Sequence, residues 1–218
     1  MSKRPVPRLF VIRHGETEWS QNGRHTGRTD IPLTEHGVEA IKKLAPEIVG
    51  PGKLLDAENL CHVWVSPRQR AHTTFKLLFE SLDELPPHKV CEDVREWDYG
   101  NYEGLTSEEI KDKDKYWSIW KDGCPGGESV EEMTKRVDGV IEEVHEIHRK
   151  YYEEGEGRRD ALIVAHGHFS RVLISRWVEF PLCLGTHFNV EPAGISLLTY
   201  NHRNLKEPSL TGLNLHAL

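Results

Sequence analysis

The chain has 218 residues, 37% of them hydrophobic and 29% charged, with a formal net charge of −7. That length supports one sizeable hydrophobic core, and the negative charge argues against nucleic acid or an anionic membrane as a partner. Its four cysteines, Cys61, Cys91, Cys124 and Cys183, stand singly with no CxxC pair, a spacing that fits neither a zinc site nor a disulfide scaffold.

The basic start, Met1 to Pro7, leads into a short apolar run, Leu9–Ile12, too brief for a signal peptide or a membrane span. A soluble cytoplasmic protein is the expectation. Leu9–Ile12 reads as a buried strand. Thr34 to Val49 starts at an N-cap residue, carries Val38, Ile41, Leu44 and Ala45 on one face, and stops at Gly50-Pro51-Gly52, so it reads as a helix. Leu60–Val65 is a second apolar run. The Ser66-Pro67 pair after it predicts a helix with Pro67 at its first position. A long helix is predicted from Ser129, which has capping-box spacing to Glu132; its stripe is Val130, Met133, Val137, Ile141, Val144 and Tyr151, and Gly155 ends it. Ala161–Ala165 and Ile195–Tyr200 complete the strand-like runs. Strands alternating with helices predict an α/β fold: one domain over residues 1–218, with a mostly parallel central sheet between helical layers.

In such sheets ligands gather beyond the carboxyl ends of the strands. Three runs are followed there by Arg13-His14-Gly15-Glu16-Thr17, Ser66-Pro67-Arg68-Gln69-Arg70 and His166-Gly167-His168, which would place histidines and arginines on one rim. Phosphoryl transfer through a covalent intermediate needs a nucleophile, charge neutralisation and an acid for the leaving group. His14 can attack as neutral imidazole if its other nitrogen is held as N–H. Arg13 and Arg70 offer planar forks for phosphate oxygens, and His166 offers a further donor at a helix N-terminus. Glu96, in the aromatic stretch Val94 to Gly100, is a candidate acid that a bound phosphate would bias toward its protonated form. On residues alone, Asp98 or Glu16 could fill that role instead.

Arg13-His14-Gly15-Glu16-Thr17 resembles the signature of the histidine phosphatase superfamily, the phosphoglycerate-mutase-like proteins. Four further pieces match in order and spacing: Thr26-Gly27 with Pro32-Leu33-Thr34, Ser66-Pro67 leading to Arg70-Ala71, Arg95-Glu96, and Ala165-His166-Gly167. The resemblance covers nearly the whole chain, from Phe10 to about Glu207. The resemblance implies the phosphoglycerate-mutase-like fold, with His14 as nucleophile and Arg13, Arg70 and His166 around the phosphate. It also implies that Glu96 is the proton donor and later the base, with no metal and no cofactor. Within the superfamily, Trp19-Ser20, Glu96 to Gly104, Trp117 to Cys124 and His166 to Arg171 resemble the fungal sedoheptulose-1,7-bisphosphatases. An insertion expected after about Trp177 is absent here.

That resemblance implies a phosphatase acting on a small phosphorylated metabolite, a sugar phosphate. Thr26, Gly27, Arg28, His168 and Arg171 are substrate-contact candidates, and Arg24, His25, Arg28 and Arg171 are candidates for a second phosphate. A broad-specificity phosphatase, a phosphoglycerate-type mutase and a phosphate-dependent binding protein are the alternatives. The segment between Glu96 and Gly127-Glu128-Ser129 is shorter than in mutases, which favours hydrolysis because a mutase must exclude water. His145-Glu146-Ile147-His148 lacks the HExxH spacing, so no zinc site is assigned to it. Trp117 and Trp120 are expected to pack rather than to form a lid.

Overall fold

The computed structural model describes residues 4–215, so the first residues of the basic start, Met1 to Lys3, lie outside the described residues. In chain order the elements are β1 (Arg8–Arg13), α1 (Glu18–Asn22), α2 (Glu35–Ile48), β2 (Leu60–Val65), α3 (Gln69–Leu78), β3 (Lys89–Val90), α4 (Ser107–Lys113), α5 (Ile119–Asp122), α6 (Val130–Arg149), β4 (Asp160–Ala165), α7 (Gly167–Trp177), β5 (Ile195–Tyr200) and β6 (Pro208–Leu215).

One six-stranded sheet runs in the order β3-β2-β4-β1-β5-β6. The first four strands are mutually parallel, and β5 and β6 join antiparallel at the far side. All six residues of β4 are buried, as befits a central parallel strand covered on both faces. Alternation along β1 divides the core. Leu9 and Val11 face α6 and α7, meeting Met133, Val137, Val172 and Leu173. Phe10 and Ile12 face α2 and α3, meeting Ile41, Leu44, Phe75 and Leu78. Period-two strands between period-3.6 helices thus build the three layers the sequence pattern predicts. Among the described residues no helix is long and apolar enough to cross a membrane.

The local signals have identifiable partners. Thr34 Oγ1 accepts from Gly37 N at 2.9 Å and caps α2. Ser129 and Glu132 form the reciprocal capping box of α6, an arrangement whose side-chain cap contributes about 1 kcal/mol. Two expectations shift. The helix after Ser66-Pro67 begins at Gln69, because Arg68 stays extended and the Gln69 N–H is taken by Asp30 Oδ1 at 2.7 Å, a cap supplied from a remote loop. The α6 stripe ends on Tyr152 rather than Tyr151: residues Lys150–Glu154 form a π-turn before Gly155, and the extra residue per turn moves the buried face by one position.

Candidate active site

Because β1, β2 and β4 are parallel, their carboxyl ends meet at one edge. Pairing continues one residue past each strand: His14 N donates to Ala165 O at 2.9 Å and Ser66 N to Val164 O at 3.0 Å. The backbone of His14 and of Ser66 is therefore held by the sheet's own ladder. A cavity of about 230 Å³ opens there, walled by Arg13, His14, Glu96, Gly167 and His168 with side chains from three other segments.

His14 Nδ1 lies 2.7 Å from Gly15 O. A carbonyl oxygen only accepts, so Nδ1 carries the proton and Nε2 keeps its lone pair. Burial, with Arg70 and Arg13 alongside, holds the imidazole well below its ordinary pKa, which leaves it neutral and nucleophilic near pH 7. Gly15 N is in turn fixed by Thr74 Oγ1 at 3.0 Å, from α3.

Arg13 donates through one terminal nitrogen to Val190 O at 2.7 Å, while its Nε is buried without a partner among the described residues. A Cβ on Gly167 would sit 3.4 Å from that Nε. That is ordinary van der Waals distance, so the guanidinium lies directly against the start of α7. Arg70 and His166 are fully buried behind the cavity wall. Arg70 spends its fork on main-chain oxygens of Thr26, Gly27 and Thr29, and its Nε donates to His166 Nδ1 at 3.2 Å. With Nδ1 accepting, His166 Nε2 is the protonated nitrogen and donates to Ser66 Oγ at 2.6 Å. Burial, reinforced by Arg70 and His14, also depresses the His166 pKa strongly.

Among the described residues, Glu96 is the carboxylate that lines this cavity. Oε1 accepts from Trp97 N and Phe169 N at 2.9 and 2.8 Å, and Oε2 accepts from His168 N at 3.0 Å. The α7 N-terminus therefore holds this carboxylate in place through its free N–H groups. The Gly-Glu-Ser stretch supports the same segment from behind. Glu128 O accepts from Trp97 Nε1 at 2.8 Å, and the Glu128 carboxylate pairs with Arg136 at 2.7 Å. The alternative acids point elsewhere: Asp98 pairs with Arg28, and Glu16 bonds Thr34 and His36.

The site thus brings together His14, Arg13, Glu96, His168, Arg171 and Thr26, with Arg70 and His166 directly behind. It does not bring in Gly27 or Arg28. Gly27 N is held by Glu103, and a Cβ there would lie 2.6 Å from Trp97 O, so it is a close-packed backbone position. Arg28 is 75% exposed in its side chain and ion-paired with Asp98 beside a different groove. Of the histidine pair in α6, His148 is buried against Tyr200 and His145 packs on Trp177. Among the described residues no group of three or more potential ligands is placed to hold a metal ion. Trp117 is buried in the core, and Trp120 packs under Arg171.

The model of the histidine phosphatase superfamily (branch 1) matches residues 9–212. The chain belongs to this superfamily. It is a histidine phosphatase, a phosphoric monoester hydrolase. It is 40% identical over 207 residues to a Mycobacterium tuberculosis acid phosphatase, covering 94% of this chain and 93% of that protein. It is 31% identical to the sedoheptulose 1,7-bisphosphatase of Saccharomyces cerevisiae, covering 94% of this chain and 92% of the yeast protein. The latter alignment spans 249 positions, more than the whole of this chain, so the yeast protein carries segments that are absent here. Among solved structures, one of a Mycobacterium tuberculosis open reading frame superposes with a TM-score of 0.76 at 36% identity, covering 96% of this chain and 97% of that one. The phosphoserine phosphatase of Entamoeba histolytica, solved with 3-phosphoglyceric acid, gives 0.74 at 25% identity, covering 97% and 99%.

Several residues of the phosphatase cavity carry no sequence signal of their own. Tyr99, Asn189 and Val190 reach it from loops, and Ser107 from the start of α4, all far apart in the chain. Tyr99 lay within the aromatic stretch around Glu96, but its hydroxyl contact to His168 Nδ1 at 2.8 Å is a purely tertiary fact.

Proposed function

We propose that this phosphatase hydrolyses small sugar phosphates through a phosphohistidine on His14. The observation that carries the reading is the 2.7 Å contact of His14 Nδ1 to Gly15 O, which leaves Nε2 unprotonated on a ring that walls the cavity beside Arg13 and Glu96. Nε2 attacks phosphorus, the bond from phosphorus to the leaving oxygen breaks, and Glu96 protonates that oxygen. Glu96 then takes a proton from water, the water oxygen attacks phosphorus, the N–P bond breaks, and phosphate leaves with His14 regenerated. Arg13 and Arg70 offset the charge on the non-bridging oxygens, and His166 completes their surroundings.

The cavity of about 230 Å³ suits a small ester with its phosphate at His14. A second phosphate has few cations to meet, since Arg24 is engaged by Glu109 and Gly104 O, and Arg28 by Asp98. His25 is held neutral by burial, and Arg171, over the Trp120 ring at 4.7 Å, is bonded to the main-chain oxygens of Gly185 and Thr186 and is the candidate that no carboxylate engages among the described residues. A sugar bisphosphate such as sedoheptulose 1,7-bisphosphate therefore belongs in the substrate panel, on the likeness to the yeast enzyme. A second reading, a broad-specificity phosphatase, is favoured by the 40% identity to an acid phosphatase.

The test is phosphate release from sugar mono- and bisphosphates with chelator present, by wild type and His14→Ala. Hydrolysis lost in His14→Ala supports the mechanism, and the ranking of esters separates the two substrate readings. Release that persists in His14→Ala, or label moving to another hydroxyl of the substrate instead of to water, overturns it.

A further inference from the structure

Two imidazoles share the cavity wall beside His14, and their hydrogen bonds fix opposite tautomers. His25 Nδ1 lies 2.8 Å from Leu105 O; the carbonyl must accept, so Nδ1 holds the proton and Nε2 is a bare acceptor. His168 Nδ1 lies 2.8 Å from the Tyr99 hydroxyl. Tyr99 is buried, and among the described residues that nitrogen is its hydroxyl's hydrogen-bond partner. No other acceptor meets that O–H among the described residues, so it donates to Nδ1, and His168 Nε2 carries the proton. The two rings lie 5.9 Å apart and nearly parallel, at 18°. Tyr99 and Trp117 brace the first, Trp120 the second. Neither Nε2 makes a hydrogen bond within the described residues, and both rings line the cavity.

We propose that His25 and His168 are a hydroxyl-reading pair: His168 Nε2–H donates to, and His25 Nε2 accepts from, hydroxyl groups on the carbon chain of a polyhydroxylated phosphate ester. Tyr99 is the positioning residue that sets the His168 tautomer. The proposal rests on the phosphatase reading at His14. A phosphate or carboxylate oxygen only accepts, so the His25 lone pair repels it, whereas a hydroxyl both donates and accepts and satisfies both nitrogens. Burial keeps both rings below their ordinary pKa, with Arg171 and His25 adding to the effect at His168. The pair therefore stays in this donor and acceptor form near neutral pH. The His168 main chain simultaneously holds Glu96, so a sugar seated by these rings is seated against the acid.

The test compares ribose 5-phosphate with tetrahydrofurfuryl phosphate, which keeps the ring and phosphate but lacks the ring hydroxyls. Wild type should favour the ribose ester in kcat/KM by about 10- to 100-fold. His25→Phe and Tyr99→Phe should each cut that preference about tenfold. Nitrogen-15 NMR of wild type should find His25 protonated at Nδ1 and His168 at Nε2, with the His168 tautomer no longer fixed in Tyr99→Phe. Equal rates on the two esters, parallel losses on both in the variants, or the reverse tautomers would overturn the proposal. If neither ester is cleaved, the hydrolysis reading fails by itself. Titration of both esters then decides the pair, which stands only if the ribose ester binds more tightly and loses that advantage in His25→Phe.

Discussion

The His14 and His166 rings meet edge-on, with centroids 5.2 Å apart at 63°, one walling the cavity and the other sealed behind it. Arg70 bonds the rear ring through His166 Nδ1. Positive charge thus presses on both imidazoles from the side away from solvent. For His14 the largest cause of its lowered pKa is burial, followed by Arg70 and Arg13. Protonation of Nε2 would abolish the nucleophile, and that happens only well below the ordinary value of 6.5. The acid limb of kcat/KM should therefore lie well under pH 6.5. Arg70→Met, which removes one cation, should move that limb upward while lowering the plateau. A pH–rate profile checks both, and an acid limb centred at or above 6.5 in wild type would contradict the neutral-nucleophile assignment.

Glu96 accepts three main-chain N–H bonds. In Glu96→Gln the side-chain amide must turn its NH₂ toward at least one of those donors, so the variant should lose about 1–3 kcal/mol of stability. On a sugar phosphate, kcat should fall by about 10²- to 10⁴-fold, because the leaving alkoxide goes unprotonated. On an aryl phosphate, whose leaving group needs little proton assistance, phosphorylation of His14 should persist while its hydrolysis slows. Acid-sensitive phosphoenzyme should then accumulate in Glu96→Gln and not in wild type. Equal losses on the two esters, with no phosphoenzyme, would remove Glu96 from the acid role.

Much of this site was legible because it sits where regular structure ends. Apolar runs marked β1, β2, β4 and β5, and the polar residues directly after three of them converge by the geometry of a parallel sheet. Less was legible where the deciding partner is remote in sequence. Asp30, not Pro67, determines where α3 begins. The π-turn that exchanges Tyr151 for Tyr152 is invisible to a strict 3.6 period. Strand β6 carries Pro208 and Gly212 and is half-buried along most of its length, so it has no apolar run to announce it. Arginines offer the sharpest lesson. Arg24 and Arg28 read in the sequence as cations for a second phosphate, yet Glu109 and Asp98 engage them.

Glu103 acts on the site through the loop behind it. Its carboxylate accepts from Gly27 N at 3.0 Å and Thr29 N at 2.9 Å, and the carbonyls of Thr26, Gly27 and Thr29 are the ones that hold Arg70. Glu103→Gln keeps the shape but replaces charge-assisted bonds with weaker ones and offers a single acceptor oxygen. The expected outcome is a roughly tenfold fall in kcat with a stability loss of about 1–2 kcal/mol. Steady-state kinetics and thermal unfolding on the same preparation separate the two effects. Unchanged kcat in a destabilised protein would mean that Arg70 is held without this loop.

Acid should destabilise the fold through histidines that are buried neutral. His148 has no exposed surface, bonds the Tyr200 hydroxyl at 2.9 Å, and is pushed down to about 3, chiefly by burial and then by His145. His14 and His166 are lowered in the same direction. In the unfolded chain each returns to about 6.5. Between that value and its folded pKa, the unfolded state binds a proton that the folded state refuses, so stability falls as pH falls across the window. Each such group contributes up to about 1.4 kcal/mol per pH unit. The urea midpoint should thus drop steadily from pH 7 through pH 5, above the range in which most carboxylates titrate. His148→Phe loses the bond to Tyr200, at about 1 kcal/mol near neutrality, but it also removes one of the refused protons. Its stability should therefore decline less steeply with acid than that of wild type, so that the gap between the two narrows as pH falls. Urea titrations at matched pH read this directly, and parallel lines for the two proteins would show that His148 accepts its proton without unfolding.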